Sequence, residues 1–260
     1  MRIDLSGQEH LNGSVVALGM FDGLHLGHRT LLLRGRNMAR QMGVPLVVST
    51  FAEHPLQVIA PEHCPPMLMT LEERIQTLKE LEVDLFSALP FNEEMRRMPP
   101  EDFVGHLVRR FHPKAVICGY NHTFGDGGRG NPVLLEALGN ALGFETVIVP
   151  KITLDGEDVS STEIRGLIQK GNLPRAAQML KQPYFAEFVR DEVEGLYHPK
   201  EPCKMMPPAG NYRVLLDAEG HTLPLAVHLH GNSSLRLPRS TPENCVIRFI
   251  RAIGDKHETV

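Results

Sequence analysis

Apolar and polar positions follow two alternating periods in the N-terminal part of the chain. Short apolar runs rich in β-branched residues predict buried strands, and each is followed by apolar residues at helical spacing. Glycine or proline stands at many of the junctions, where helices end and strands begin. The predicted strands are Ser14–Leu18, Pro45–Phe51, Val83–Leu89, Lys114–Gly119 and Thr146–Pro150, and the predicted helices are Arg29–Met42, Leu71–Leu81, Pro100–Phe111 and Val133–Leu142.

The order of these elements predicts the fold class. Strands joined by single helices require crossover connections, which are right-handed and give a parallel sheet with helices on both faces. We therefore expect an α/β fold with a parallel sheet. The five predicted strands are too few for the eightfold barrel, and another α/β arrangement, such as an incomplete barrel, is the alternative.

The pattern changes after Ser160. Two short helices are predicted at Ser161–Lys170 and Pro174–Gln182, and the remainder is rich in proline. Its strand-like runs, which have no convincing helix between them, are Tyr212–Leu216, Leu223–Leu229 and Val246–Ile250. We expect a first domain over residues 1–183 and a small β-rich second domain over residues 184–260.

Composition and charge exclude several classes of protein. Of the 260 residues, 42% are hydrophobic and 22% are charged, which is typical of globular domains. A net charge of −4 argues against a general nucleic-acid binder, although a local basic patch is compatible with it. No apolar run approaches the ~20 residues of a membrane span, no secretory signal is evident, and the scattered cysteines predict no disulfide framework. We expect a cytoplasmic protein without membrane or nucleic-acid partners, and its oligomeric state is not predicted.

The densest group of chemistry-bearing residues lies between the first predicted strand and the first predicted helix. Residues 19–28 read Gly-Met-Phe-Asp-Gly-Leu-His-Leu-Gly-His. The glycines allow a tight turn and close approach of the backbone to a phosphate, which the helix N-terminus also attracts. His25 and His28 can face one anion and stabilise charge that develops on a phosphoryl group. A single histidine usually serves packing, but the full combination favours a phosphate site.

A second candidate phosphate site begins the helix after the fifth strand. Ser160 or Ser161 can cap this helix, with Glu163 completing its first turn. Arg165 can then bind phosphate oxygens with its forked guanidinium. The alternative is an ordinary capped helix with a solvated arginine, which this segment taken alone would favour.

Five sequence blocks resemble one family. Residues 19–28 are similar to the Gly-x-Phe-Asp-Gly-x-His-x-Gly-His signature of the adenylyltransferase module of the prokaryotic bifunctional riboflavin kinase/FAD synthetases, which belong to a nucleotidyltransferase superfamily with a Rossmann-like fold. The other blocks that resemble this family are Thr50–Pro55, Leu68–Leu81, Gly119–Gly125 and Val159–Arg165.

The resemblance implies an FMN adenylyltransferase, which transfers AMP from ATP to FMN with Mg²⁺ and releases pyrophosphate. It implies catalytic roles for His25, His28 and Arg165. The nucleotide-binding residues that it implies are Gly19, Phe21, Asp22, Gly23, Gly27, Ser160, Ser161 and Thr162. The flavin-binding residues are His54, Pro55, Asn121, His122, Phe124 and Arg129. No metal ligand is assigned to the chain.

Some positions depart from the family pattern. Glu53 stands where the family has proline, and His122 stands where it has phenylalanine. These changes leave open a nucleotidyltransferase that acts on another phosphorylated acceptor. The degenerate C-terminal part, described next, leaves open a non-catalytic flavin- or nucleotide-binding paralogue. Arg74 replaces the usual lysine, and we expect it on a solvated helix face. The loop with Arg129 could instead be a simple surface turn.

The C-terminal part resembles a shortened riboflavin kinase barrel. Pro208–Tyr212, Leu225–Leu229 and Val246–Arg251 are similar to strands of that module. The chain has no Pro-Thr dipeptide, and Ala226 aligns where the family has the glutamate that acts as base. We therefore expect a degenerate, barrel-like domain without riboflavin kinase activity. His221, His228 and His230 could suggest a metal site, but only His228 and His230 share one strand face, and no fourth ligand is evident.

Overall fold

Alternating strands and helices form the N-terminal part of the protein, as the sequence pattern predicts. The computed structural model describes residues 1–191 and 195–254. The strands of this part are β1 (Arg2–Asp4), β2 (Ser14–Leu18), β3 (Leu46–Phe51), β4 (Leu85–Leu89), β5 (Pro113–Gly119) and β6 (Glu145–Val149). Its helices are α1 (Leu26–Met42), α2 (Leu56–Ile59), α3 (Leu71–Glu80), α4 (Glu93–Arg97), α5 (Pro100–Phe111) and α6 (Pro132–Leu142).

The six strands form one parallel sheet in the order β1-β4-β3-β2-β5-β6. The chain proceeds outward from β2 through β3 to β4, and then returns to the other side of β2 to form β5 and β6. The order of strands therefore reverses between β2 and β5. In open α/β sheets, ligands bind beside the carboxyl ends of the strands at such a switch point. The expected α/β fold with a parallel sheet is confirmed.

A buried apolar core fixes the two strands that flank the switch point. Every residue of β2 is buried, and so are Ala115–Cys118 of β5. Parallel strands covered by helices on both faces have this continuous apolar character. Val104, Leu107 and Phe111 of α5 pack in the same cluster as Val16 and Val116. The loops that follow β2 and β5 therefore start from a rigid base.

The edge strand β1 is not predicted by the sequence pattern, since it has only three residues and two of them are charged. A buried ion pair between Asp4 and Arg110 accompanies it. The Asp4 carboxylate also accepts backbone N–H groups from Ser6 and Gly7. Burial alone would raise the pKa of Asp4, but these hydrogen bonds and Arg110 hold it below its usual value.

A second compact unit contains Pro66–Thr70 and the described residues from Leu154 onward, while the first unit contains Met1–Pro65 and Leu71–Thr153. The two-residue strands β7 (Thr153–Leu154) and β8 (Glu157–Asp158) pair with each other. The helices α7 (Ser161–Gln169) and α8 (Leu173–Leu180) follow. The remaining strands are β9 (Tyr184–Arg190), β10 (Tyr197–Pro199), β11 (Gly210–Ala218), β12 (His221–Leu229) and β13 (Asn244–Ile253).

The five C-terminal strands pair antiparallel in the order β10-β9-β13-β11-β12. Tyr197 of the edge strand β10 and Leu229 of the other edge strand β12 both bridge to Leu235. A single residue thus connects the two edges of the sheet, which gives the unit a barrel-like closure. The Tyr212 and Phe249 rings meet edge to face inside it, with 5.6 Å between their centroids.

The expected β-rich C-terminal domain is thereby confirmed as a fold. By their packing, α7 and α8 belong to the same compact unit as the C-terminal sheet. The domain boundary expected at residue 184 rests on the sequence blocks and stays a prediction. Among the described residues, no helix has both the length and the apolar character that a bilayer crossing requires.

Candidate functional site

The turn between β2 and α1 contains strained backbone. Phe21, Gly23 and Leu24 have φ values of 53°, 87° and 42°. For Phe21 and Leu24 this left-handed conformation is unfavourable, and such residues persist where the surrounding structure holds them. Both side chains are completely buried, and this burial provides the stabilisation. The turn is therefore fixed in a conformation that the local sequence would not adopt alone.

His25 ends the turn and caps α1. Its Nδ1 accepts a hydrogen bond from the backbone N–H of His28 at 3.4 Å, which satisfies one of the unpaired donors at the helix start. Because Nδ1 acts as an acceptor, the proton of the neutral ring must lie on Nε2. Nε2 of His25 is therefore a hydrogen-bond donor. The imidazole rings of His25 and His28 stack with 3.7 Å between their centroids.

Both imidazoles are held neutral. Burial lowers the pKa of His25 to about 4, although a backbone hydrogen bond partly opposes this. Burial lowers the pKa of His28 well below its usual value, and repulsion between the two rings, were both protonated, acts in the same direction. The Nδ1 atom of His28 is buried and has no partner among the described residues. A phosphate beside these rings would raise both pKa values and strengthen the attraction.

The N-terminus of α1 supplies positive potential beside these neutral rings. The first turn of this helix, which is 17 residues long, contains no acidic side chain. Backbone N–H groups at the start of a helix lack intrahelical acceptors, and the helix dipole places positive potential there. The turn between β2 and α1 therefore combines the donors that bind an anionic phosphate.

The loop after β5 lies on the other side of the switch point. Phe124 forms an antiparallel bridge with Gly130 and packs on Phe103 at 5.5 Å between ring centroids. A Cβ atom on Gly130 would lie 2.5 Å from the Phe124 ring, so only glycine fits at this position. Phe124 is 6% exposed. It therefore supports the loop from the core side, whereas Asn121 is exposed.

His122 of this loop has an unusual environment. The residue is partly exposed, but its Nε2 is buried and has no partner among the described residues. Burial lowers the pKa of His122 to about 4. Its ring lies beside that of Phe124, with 6.0 Å between the centroids. Arg129 is exposed and forms an ion pair with Asp126 at 2.8 Å, so its guanidinium already has a partner.

The loop after β3 holds the remaining expected flavin residues. His54 Nδ1 accepts the backbone N–H of Leu56 at 3.2 Å, and Pro55 immediately precedes α2. Both residues are partly buried, whereas Glu53 is exposed. The ring of His54 is therefore fixed at the start of α2 by a local hydrogen bond.

The expectation that Arg74 lies on a solvated face is wrong. Arg74 is completely buried, and its guanidinium donates hydrogen bonds to three backbone carbonyl oxygens, those of Met20, Phe51 and Ala52. Helix charges usually face solvent, but these carbonyls at the ends of β2 and β3 need donors. A sequence signal exists, because Arg74 shares helical spacing with the apolar residues Leu71 and Leu78.

The expected nucleotide residues of α7 lie in the second unit. Ser160, rather than Ser161, caps the helix, and its Oγ accepts the backbone N–H of Glu163 at 3.2 Å. Ser161 and Thr162 form the first turn. Arg165 Nε donates to the carbonyl oxygen of Pro66 at 2.8 Å. His25 and His28 belong to the first unit.

Comparison with known proteins identifies the family. The sequence model of the FAD synthetase family matches residues 7–163, which include both histidines, the loop after β5 and the cap of α7. The chain belongs to the FAD synthetase family. The resemblance expected from the five sequence blocks is thereby confirmed.

Curated relatives of this FAD synthetase family member carry two named activities. The bifunctional riboflavin kinase/FMN adenylyltransferase of Listeria monocytogenes is 33% identical over 65% of this chain and 54% of its own. That of Bacillus subtilis is 32% identical over 66% and 54%, and that of Escherichia coli is 30% identical over 66% and 55%. The chain thus spans about half the length of the curated relatives it matches.

A solved structure resembles the whole fold. The macrolide-efflux protein from Streptococcus pneumoniae matches with a TM-score of 0.85 over 100% of this chain and 93% of its own. The two sequences are 23% identical, so this likeness concerns the fold alone.

Proposed function

We propose that this protein transfers AMP from ATP to FMN, forming FAD and pyrophosphate. The observation that carries the proposal is the stacked pair of neutral imidazoles, His25 and His28, at the N-terminus of α1. It lies beside the topological switch point, where α/β sheets bind nucleotides. The FAD synthetase match supports this reaction class over the alternative of a non-catalytic paralogue.

The reaction is an in-line displacement at phosphorus. An FMN phosphate oxygen attacks the α-phosphorus of ATP, and the bond from this phosphorus to the bridging oxygen of pyrophosphate breaks. His25 Nε2–H and the first amides of α1 would donate to the phosphate oxygens. Because these donors are already oriented before binding, they stabilise the developing charge without reorganisation. No covalent enzyme intermediate is required.

Further residues have proposed roles in binding the nucleotide. Gly19, Phe21, Asp22, Gly23 and Gly27 shape the turn, while Ser160, Ser161, Thr162 and Arg165 would bind the phosphates that leave as pyrophosphate. An N-capped helix start with an arginine in its first turns suits this role. Among the described residues, no three His, Cys, Asp or Glu side chains are grouped to hold a metal. The triphosphate itself would therefore supply most Mg²⁺ ligands, and the ion would neutralise phosphate charge.

FMN is proposed to bind at the loops after β3 and β5. His54, Pro55, Asn121, His122 and Phe124 would form this side of the site, with Arg129 at its rim. Among the described residues, the buried Nε2 of His122 has no hydrogen-bond partner, which is unfavourable. A small movement of this partly exposed ring would let the flavin supply that partner. His122 and Glu53 also favour a second candidate function, the adenylylation of another phosphorylated acceptor.

We further propose that the protein lacks riboflavin kinase activity. Ala226 stands where the family has a glutamate base, and a methyl group cannot accept the proton of a hydroxyl nucleophile. Ala226 lies on β12 opposite Arg213 of β11. Phosphoryl transfer to riboflavin would then lack its base.

Product analysis tests these proposals together. The purified protein would be incubated with ATP and Mg²⁺ and with either FMN or riboflavin, and flavins would be separated chromatographically. FAD from FMN and no FMN from riboflavin are expected. FMN or FAD formed from riboflavin would refute the missing kinase activity. No FAD from FMN would refute the main proposal, and a panel of phosphorylated acceptors with ATP or CTP would then test the second candidate.

A further inference from the structure

The buried guanidinium of Arg74 links two loops of the N-terminal unit. Its Nη1 donates to the carbonyl oxygens of Met20 at 3.2 Å and Phe51 at 3.1 Å, and its Nη2 donates to that of Ala52. We propose that Arg74 is a positioning residue that fixes the loops after β2 and β3 for adenylyl transfer. This inference rests on the proposed function and adds a residue that does not touch the substrates.

The three acceptors lie where a parallel sheet ends. Met20 follows β2, Phe51 is the last residue of β3, and Ala52 comes next. At the end of a strand the next ladder donor is missing, and a buried carbonyl without a donor is unfavourable. Arg74 satisfies three such groups with one side chain. An apolar residue of equal size would remove this donor from the carbonyls of Phe51 and Ala52, and Met20 would keep only the long contact from the Thr50 hydroxyl at 3.5 Å.

The surrounding charges support a buried cation at this point. Burial lowers the pKa of Arg74, while the carboxylates of Asp22, Glu53 and Glu72 oppose this. Asp22 belongs to the turn between β2 and α1, and it is 2% exposed. Two of these carboxylates therefore lie on the loops that Arg74 holds. The charge of the buried guanidinium is therefore stabilised by nearby carboxylates, while its Nε has no hydrogen-bond partner among the described residues.

The two loops lead directly to candidate site residues. The chain runs from Met20 through the strained residues Phe21 and Leu24 to His25, and from Ala52 to His54. A rotation of either loop would move an imidazole relative to the substrates, and misplacement by ~1 Å can reduce turnover by about 100-fold. Arg74 is thus expected to affect kcat more than the KM of either substrate.

Variants at Arg74 test this inference. Arg74→Gln should lower kcat by at least ~30-fold with little change in either KM. Hydrogen–deuterium exchange should become faster in residues 19–28 and 51–58 but not in α6. Arg74→Lys should give an intermediate kcat, because one ammonium can reach the Nη1 acceptors but cannot also replace Nη2.

Arg110→Gln is the matched control. It also removes a buried guanidinium, but Arg110 contacts Asp4 and Ser87 rather than the two loops. It should lower the unfolding temperature and leave both kcat and exchange in the two loops near wild type. An equal loss of kcat in Arg110→Gln would show that the effect is only one of stability, and would overturn the proposal.

Other outcomes also decide the question. Wild-type kcat and exchange in Arg74→Gln would refute the positioning role. If Arg74→Gln does not fold, Arg74→Lys provides the test. Hydrogen–deuterium exchange in residues 51–58 of Arg74→Lys at the same rate as in the wild type would refute the role of Nη2. If the wild-type protein makes no FAD, the proposed function fails, while exchange in the variants still shows whether Arg74 fixes the two loops.

Discussion

Neutral buried histidines should make this protein sensitive to acid, and His122 offers the clearest test. Burial lowers its pKa to about 4 from an ordinary value of 6.5. Between these two pH values the unfolded chain binds a proton that the folded protein does not bind. The stability contribution is therefore complete above pH 6.5 and is lost as the pH falls toward 4.

The size of the effect follows from the two pKa values. The full difference corresponds to about 3 kcal/mol, of which about 2 kcal/mol is lost between pH 7 and pH 5. His122→Phe removes the titrating group and keeps an aromatic ring beside Phe124. This variant should therefore lose about 2 kcal/mol less stability than the wild type over that range.

Urea unfolding at pH 7 and pH 5 measures this difference. The sequence has no tryptophan, so far-UV circular dichroism is the suitable signal. If the two units unfold separately, the transition of the N-terminal unit is the one to compare. His63→Phe, at a side chain that is 75% exposed, is the control and should behave as the wild type. Equal losses of stability in the wild type and His122→Phe would refute the reasoning.

Three further substitutions test the site and its supports. His28→Ala should lower the kcat of FAD formation by at least ~100-fold without loss of the fold; unchanged turnover, measured beside a circular dichroism spectrum, would contradict the proposed site. Ser160→Ala removes the cap of α7 and should lower the free energy of unfolding by about 1 kcal/mol, more than Ser161→Ala, as thermal unfolding would show. Gly130→Ala places a Cβ atom 2.5 Å from the Phe124 ring. It should destabilise the protein by ~1–3 kcal/mol and weaken FMN binding in a fluorescence titration, and unchanged affinity would argue against a flavin role for this loop.

The sequence predicts most of the N-terminal fold because its buried strands and amphipathic helices have clear periods. The short charged strand β1 has no such period, and it is stabilised instead by tertiary contacts of Asp4. In the C-terminal part, β9 does carry a signal, the alternation of buried Tyr184, Ala186 and Phe188. The strands predicted for this part do not include it.

The candidate site likewise has some features that the sequence predicts and others that it does not. The motif of residues 19–28 predicts that His25 and His28 begin a helix, because glycines and histidines at this spacing are a local feature. It cannot predict that His25 caps the helix through Nδ1 or that burial lowers the pKa of both rings. The pKa values depend on burial by atoms from other elements, and the cap depends on the orientation of the His25 ring. Arg74 shows the same limit, since its carbonyl partners follow β2 and end β3 and are far from Arg74 in the sequence.

The buried polar atoms of the N-terminal unit give a physical reason for ligand binding. His28 Nδ1 and His122 Nε2 are buried without partners among the described residues, and a polar atom in this state is unfavourable by ~1–3 kcal/mol. These two atoms belong to the turn after β2 and the loop after β5, the loops that flank the switch point. A ligand that reached either atom would recover part of this free energy on binding. The strained residues Phe21 and Leu24, together with the proposed role of Arg74, fix the first of these two loops before any substrate arrives.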